Sequence, residues 1–596
     1  MELVLLDWLI IVGFFILILS VGLYASKQGS KSSTEYFLSG RKMPWWLLGV
    51  SMVATTFSTD TPNLVTDLVR NYGVSGNWLW WAFLLTGMLT VFVYAKLWRR
   101  SNVLTDIEFY EIRYSGKSAA FLRGFRAIYL GFFFNIMIMA TVSLAAIKIG
   151  GILLHYSPQK TIIIAMIITV LYAGFGGLRS VLLTDFILFS FAMFGAIIAA
   201  VVACSLPEVG GLSGLFSHPV VTTKLNLLPS LSDTDKLLTL IIIPIAVQWW
   251  SVWYPGAEPG GGGYLVQRML SAKDEKNAMG ATLFFNIAHY ALRPWPWILV
   301  ALASIVVFPD LAALQAKFPH IDPSIIKNDI AYPAMLIFLP HGIMGIVVAS
   351  LIAAYMSTMA SHLNWGSSYL TFDFYKRFIK PDATEKELVL IGRISTLILM
   401  ILAGLVALVL QNALQAFRIL LQIGAGTGLI FILRWFWWRV NAWSEIAGMV
   451  FSFIIAVYFE IIHQKLGLPP VSPNLRLVLG ASITTIGWIL VTLLTKPTDL
   501  KQLIKFYNLV RPGGKGWDYI INKSKETDMP ITQTAKPGDL PLGILLMIVG
   551  SIAVYSTIFA AGYYLYTKFI PAIIYTILAI FSGIFLIKNW TKIEMK

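Results

Sequence analysis

Apolar runs of about 20 residues recur along nearly the whole chain, with polar gaps between them. A bilayer core about 30 Å thick takes about 20 helical residues to cross. The pattern predicts membrane segments at about 4–24, 44–69, 75–98, 125–152, 160–176, 180–205, 237–256, 280–308, 333–372, 388–411, 413–438, 442–464, 474–495, 540–566 and 568–588, about 15 in all. The expectation is therefore an all-α polytopic membrane protein. The first run begins with Glu2 and Asp7 rather than a basic region, so it reads as a retained helix and not a cleaved signal peptide.

Composition agrees: 57% of the 596 residues are hydrophobic and 13% charged. A net charge of +15 raises the question of nucleic acid. The basic residues instead fall in the short gaps, among them Lys27, Lys31, Arg41 and Lys42, then Arg99, Arg100, Arg113, Lys117, Arg123 and Arg126. That placement follows the positive-inside rule, with no nucleic-acid partner and the lipid bilayer as solvent. The gaps near 206–236 and 309–332 are poor in basic residues. The alternation puts the N-terminus outside and the C-terminus in the cytoplasm of a plasma or inner membrane. The single cysteine, Cys204, admits no internal disulfide and reads as a small packing residue.

Catalytic signatures are missing. There is no GxxxxGK[ST] phosphate loop, no HExxH and no GxSxG, and the seven histidines are scattered. No enzyme is expected. The longest late gap, 496–539, is polar with Pro and Gly and reads as an irregular cytoplasmic linker.

Polar groups stand where lipid should be. Ala54-Thr55-Thr56-Phe57-Ser58-Thr59-Asp60-Thr61-Pro62-Asn63 lies in the middle of the second segment. A carboxylate there is costly unless it faces a cavity or a partner. Pro62 disturbs the helix upstream, and a broken helix survives in a bilayer only when buried in protein or lining a site. Its freed carbonyls are hard oxygen donors suited to a small hard cation. The seventh segment is interrupted too, at Pro244 and then Gln248-Trp249-Trp250-Ser251-Val252-Trp253-Tyr254-Pro255-Gly256, although the run from Pro255 could equally be the loop ending that helix. Two broken helices five segments apart point to an inverted repeat with a site between its halves. In the ninth segment Ala354, Ser357 and Thr358 share a helix face and could form half of a sodium shell, or serve close helix packing. Asp185, deep in the sixth segment, has either a functional role or a basic partner on a neighbouring helix.

Together these residues resemble the sodium:solute symporter family, over roughly 1–495. The resemblance rests on Ala353-Ala354-Tyr355-Met356-Ser357-Thr358, on Asn364 and Thr371-Phe372-Asp373-Phe374-Tyr375-Lys376, on Gly176-Gly177-Leu178 leading to Thr184-Asp185, and on Gln267-Arg268 and Gly424–Gly428. It implies the LeuT-type fold of two inverted five-helix repeats with extra N- and C-terminal helices. It also implies a main sodium site from the carbonyls of Ala54, Phe57 and Ala354 and the hydroxyls of Ser357 and Thr358. Solute contacts are implied at Thr56, Asp60, Thr61, Asn77, Ser251 and Gln422, with Tyr254 as inner gate. His289 and Arg293 both lie near the position of a substrate-contacting lysine. Asp185 and Ser361 mark a possible second sodium site, which Ala360 leaves short of one hydroxyl.

The expectation is a sodium-coupled symporter importing a small polar solute, most readily a sugar or sugar derivative. An amino acid, an organic acid anion, proton coupling or a solute sensor on the same fold are the alternatives; a channel would need a continuous pore. The tryptophans at 78, 80, 81, 249, 250 and 253 suit sugar stacking or the membrane interface. The expected division is 1–43 as N-terminal helix and loop, 44–438 as transport core, 439–495 as further helices, 496–539 as linker and 540–596 as C-terminal helices.

Overall fold

A computed structural model describes residues 3–29, 32–251, 258–319, 321, 323, 326–410, 426–536, 539–593 and 595. Among them the regular elements are all helical. The helices are α1 (Leu5–Gly29), α2 (Trp45–Thr55), α3 (Asp60–Tyr72), α4 (Val74–Ser101), α5 (Gly116–Leu153), α6 (Pro158–Thr169), α7 (Gly177–Cys204) and α8 (234–246). After them come α9 (Gly263–Ser271), α10 (Glu275–Val307), α11 (Ile343–Ile379), α12 (Glu385–Val409), α13 (Gly428–Phe436), α14 (Ala442–Val457) and α15 (Pro473–Leu494). The chain closes with α16 (Leu500–Val510), α17 (Asp518–Ser524), α18 (Asp539–Leu565) and α19 (Phe569–Trp590). Ten helices among the described residues are long and apolar enough to cross a membrane, and three shorter apolar ones stand beside them. The expected segments have helical counterparts where they are described, the second being the pair α2 and α3; 252–256 of the seventh segment, 411 of the tenth and 413–425 of the eleventh lie outside the described residues.

Local chemistry sets the ends. Asp274 caps α10 by accepting from the Asn277 amide at 2.7 Å, and Ser472 caps α15 with Pro473 in its first turn. Pro62 also sits in a first turn, that of α3, where its missing N–H costs nothing. Its ring excludes a helical carbonyl at residue 58, so α2 cannot run on into α3. Between α6 and α7 the chain turns at Gly177, whose φ is 58°. A side chain there would also meet the Tyr36 carbonyl oxygen at 2.7 Å. Glycine alone satisfies both conditions.

The site-bearing helix α11 packs along α7, α1, α12 and α2, and α2 packs on α10. The last two helices pair with each other, and α18 also lies on α4. The outer helix α19 leaves Ile570 at 77%, Ile587 at 76% and Phe581 at 68% exposure, a face for lipid rather than water.

The 496–539 segment departs from the irregular linker expected. It folds α16 and α17, which bury Leu503, Ile504, Phe506, Tyr507, Val510 and Trp517. The Trp517 indole donates to the Trp435 carbonyl at 2.8 Å, and the Arg113 guanidinium lies 5.4 Å from the Phe506 ring and 5.0 Å from that of Trp517. The apolar spacing of 503, 504, 507 and 510 carried this signal.

Candidate functional site

The break at 56–59 lies directly against α11. The Thr358 hydroxyl donates to the Thr55 carbonyl at 2.9 Å and lies 3.3 Å from that of Phe57. The Ala54 carbonyl turns toward the Phe57 amide at 3.2 Å. Ala54, Phe57, Ala354, Ser357 and Thr358 are all buried. Hard oxygens from two helices thus converge at the break, the donor chemistry a sodium ion takes. The Thr55 carbonyl was not among the expected oxygens, because only the path of the unwound backbone decides which carbonyls turn toward Thr358.

Behind this point lies a closed polar network. Asp185 accepts from Ser357 at 2.6 Å and Ser51 at 2.5 Å. Arg268, on α9, stands 3.9 Å from Asp185. The same guanidinium donates to Ser361 at 2.5 Å and Ser51 at 3.2 Å, and reaches Thr55 at 3.4 Å. Thr55 and Ser361 share a hydrogen bond of 2.7 Å. Asp185, Arg268 and Ser361 have no exposed surface, so the charges balance each other inside protein. Ser51 and Arg268 are further residues missing from the sequence-stated site. The Gln267-Arg268 pair was visible, but its contact with Asp185 spans 83 residues of chain.

On the other side of the break, Thr56 meets α10. Its hydroxyl lies 3.1 Å from His289 Nδ1 and 3.2 Å from an Arg293 nitrogen. Arg293 also reaches His289 Nε2 at 3.3 Å. A guanidinium only donates, so Nε2 accepts and Nδ1 carries the proton toward Thr56. The imidazole is therefore neutral. A π-turn over Ala288–Leu292 sets this face, the Arg293 amide reaching back to the Ala288 carbonyl at 3.2 Å. Trp80 stacks on Tyr290 with centroids 5.6 Å apart and meets His289 edge-on at 5.5 Å.

The remaining expected residues fall as follows. Asp60 opens α3 and is half-buried, as is Thr61. Asn77 is fully buried, its amide on the Val74 carbonyl and its oxygen taking the Trp80 indole, each at 2.9 Å. Ser251 is buried with its hydroxyl on the Gln248 carbonyl at 2.6 Å. Tyr254 and Gln422 lie outside the described residues. Beside Ser251, Gly428 approaches so closely that a Cβ would stand 1.7 Å from the Trp250 carbonyl oxygen.

A helical membrane bundle whose broken helix offers carbonyls and hydroxyls at mid-depth is the build of a secondary transporter. A sequence model of the sodium:solute symporter family matches residues 36–451, and the chain belongs to that family. It is 29% identical over 471 residues to a sodium/glucose cotransporter of Vibrio parahaemolyticus, covering 76% of this chain and 85% of the relative. It is 26% identical over 506 residues to the sodium/myo-inositol cotransporter 2 of Homo sapiens, covering 79% and 72%. A solved Na+-coupled sialic acid symporter, in a substrate-bound outward-open state, shares the fold with a TM-score of 0.65 at 19% identity, over 83% of this chain and 99% of that one. The chain is thus a sodium-coupled transporter with a LeuT-type core, and not an enzyme.

Proposed function

We propose that the protein imports a sugar-type solute by alternating access, with one sodium ion per solute. The observation that carries the sodium site is the Thr358 hydroxyl set against the Thr55 and Phe57 carbonyls. The proposed shell is the carbonyls of Ala54, Phe57 and Ala354 with the hydroxyls of Ser357 and Thr358. Sodium there draws α11 and the broken helix together and favours the state that receives solute from outside. The solute lies between Thr56, Asp60, Thr61 and the His289 face, with Asn77 holding Trp80 beside it. Ser251, Tyr254 and Gln422 complete the site from the second repeat.

Asp185 and Ser361 hold Arg268 in place of a second sodium. The guanidinium already supplies the positive charge Asp185 needs, and Ala360 offers no further oxygen. A single ion suffices for a neutral solute. A tenfold sodium gradient supplies about 1.4 kcal/mol. A potential of 100 mV adds about 2.3 kcal/mol per charge. The sum supports a solute gradient of several hundredfold. In this reading the N-terminus lies outside and the C-terminus in the cytoplasm, supported by the basic residues of the alternate loops.

The test is uptake by proteoliposomes of glucose, galactose and myo-inositol, each with sodium or with choline in its place. Sodium-dependent accumulation of a sugar or polyol is expected. Equal uptake in choline would overturn sodium coupling, and sodium-dependent uptake of amino acids alone would overturn the sugar reading.

A further inference from the structure

We propose that the solute is a sugar acid, and that Arg293 receives its carboxylate. The proposal rests on the sugar reading above and adds the charge of the solute.

Among the described residues, every buried arginine other than Arg293 either faces a carboxylate within 4.0 Å or donates to three or more oxygens. Arg100 meets Glu275 at 2.9 and 3.1 Å, and Arg123 meets Asp373 and Glu111, each at 2.7 Å. Arg126 and Arg434 each pair with a glutamate at 3.5 Å, Glu258 and Glu445. Arg70 donates to four oxygens, none farther than 3.1 Å. Arg113 donates to three backbone carbonyls between 2.9 and 3.2 Å. Arg293 is 2% exposed and has no carboxylate at ion-pairing distance among the described residues. Its contacts are neutral and long: Thr56 at 3.2 Å, His289 at 3.3 Å and the Val53 carbonyl at 3.4 Å. Its Nε has no hydrogen-bond partner, as holds for one nitrogen each of Arg113, Arg126 and Arg434; what sets Arg293 apart is the lack of either a carboxylate or a full set of close oxygens. A guanidinium held at membrane depth with such partners is set up for a counter-charge that comes and goes.

Asp60 is the nearest candidate within the chain. It feels the charge of Arg293, yet stays beyond ion-pairing distance on the far side of the break. A hydroxylated carboxylate fits both, its acid on Arg293 and its hydroxyls donating to Asp60.

The charge sum agrees. Asp185 cancels Arg268, and His289 is neutral. One sodium with Arg293 and Asp60 leaves a single net positive charge in the closed site. A monoanionic solute neutralises it before the site crosses the low-dielectric interior, and a neutral sugar does not. One sodium carried with one monoanion moves no net charge, so the membrane potential neither drives nor retards transport. The attainable gradient then follows the sodium gradient alone.

The experiment uses the purified full chain with glucose, myo-inositol, glucuronate and the uncharged glucuronamide. Thermal shift with and without sodium reads binding, and proteoliposomes clamped at zero or at negative potential read uptake. Glucuronate is expected to bind at least tenfold more tightly than glucose or glucuronamide, and its uptake should be insensitive to potential. Arg293→Gln should lose at least a hundredfold in glucuronate affinity while sodium still shifts its melting, and Arg293→Lys should restore part of the loss. If Arg293→Gln fails to fold, the contrast between glucuronate and its amide decides in the unaltered protein. Sodium-dependent binding of glucose, myo-inositol or the amide as tight as that of glucuronate overturns the inference and leaves sugar symport standing. Binding of none of the four, with an amino acid bound instead, overturns both.

Discussion

Ser357 and Thr358 are adjacent on α11 and divide their work. Thr358 faces the unwound carbonyls, whereas Ser357 also donates to the buried Asp185. Removing the Thr358 hydroxyl should raise the half-saturating sodium concentration about tenfold, the loss of about one net hydrogen bond's worth of free energy, with folding intact. Thr358→Ser should stay near the unaltered value. Ser357→Ala takes a donor from a buried charge, so it should lower stability by about 1.5–3 kcal/mol as well as weakening sodium. A sodium titration of the melting temperature separates the two; unchanged midpoints in both variants would remove these hydroxyls from the shell. Arg268→Gln strands Asp185 as a buried charge and should cost about 3–5 kcal/mol. Adding Asp185→Asn to the same chain should return part of that stability, measured by denaturation in detergent. No recovery would show that the two side chains act apart. The residue types of this network were visible in the sequence, but the bonds among Ser51, Asp185, Arg268 and Ser361 were not, because four different helices supply them.

At the scale of elements, the join of α13 to the second interrupted helix depends on Gly428. Its Cα sits where any Cβ would enter the Trp250 carbonyl. Gly428→Ala should therefore push α13 off the 248–250 turn and abolish solute uptake. The sodium-dependent melting shift should persist, because the α2–α11 contact is untouched. Loss of both, or of neither, would contradict this division. The first break was legible because Pro62 and its polar neighbours cannot continue a lipid-facing helix. The second was legible only as an interruption, and its expected gate, Tyr254, falls outside the described part. Helices α16 and α17 were hidden by their Pro- and Gly-bearing flanks, although their apolar spacing is helical. Trp517→Ala should cost about 3–5 kcal/mol, since it empties a fully buried indole site and strips a ring from Arg113.

For the whole molecule, the proposed stoichiometry and orientation give separate tests. At several sodium gradients, the solute gradient at which net flux vanishes should follow a ratio of one sodium per solute. Asp185→Asn should slow transport and leave the ratio unchanged. A ratio of two, falling to one in Asp185→Asn, would show a working second ion beside Arg268. For orientation, the single native cysteine is buried, so introduced ones report cleanly. Glu208→Cys and Lys501→Cys both lie at exposed positions. An impermeant maleimide added to intact cells should label position 208 at once and position 501 only after permeabilisation. The reverse order would invert the topology.

The sequence by itself determined the membrane class, the succession of helices, the first break and the residue types of the proposed sodium site. These follow from local rules: how many apolar residues span a bilayer, where proline forbids a helical carbonyl, and which side chains share a helix face. Tertiary structure alone decided which oxygens meet. The Thr55 carbonyl joins Thr358 only because the unwound backbone turns toward α11, and Arg268 meets Asp185 only because α9 packs against α2 and α11. It also decided that Arg293 has neutral partners, since whether a buried charge is matched depends on every helix around it.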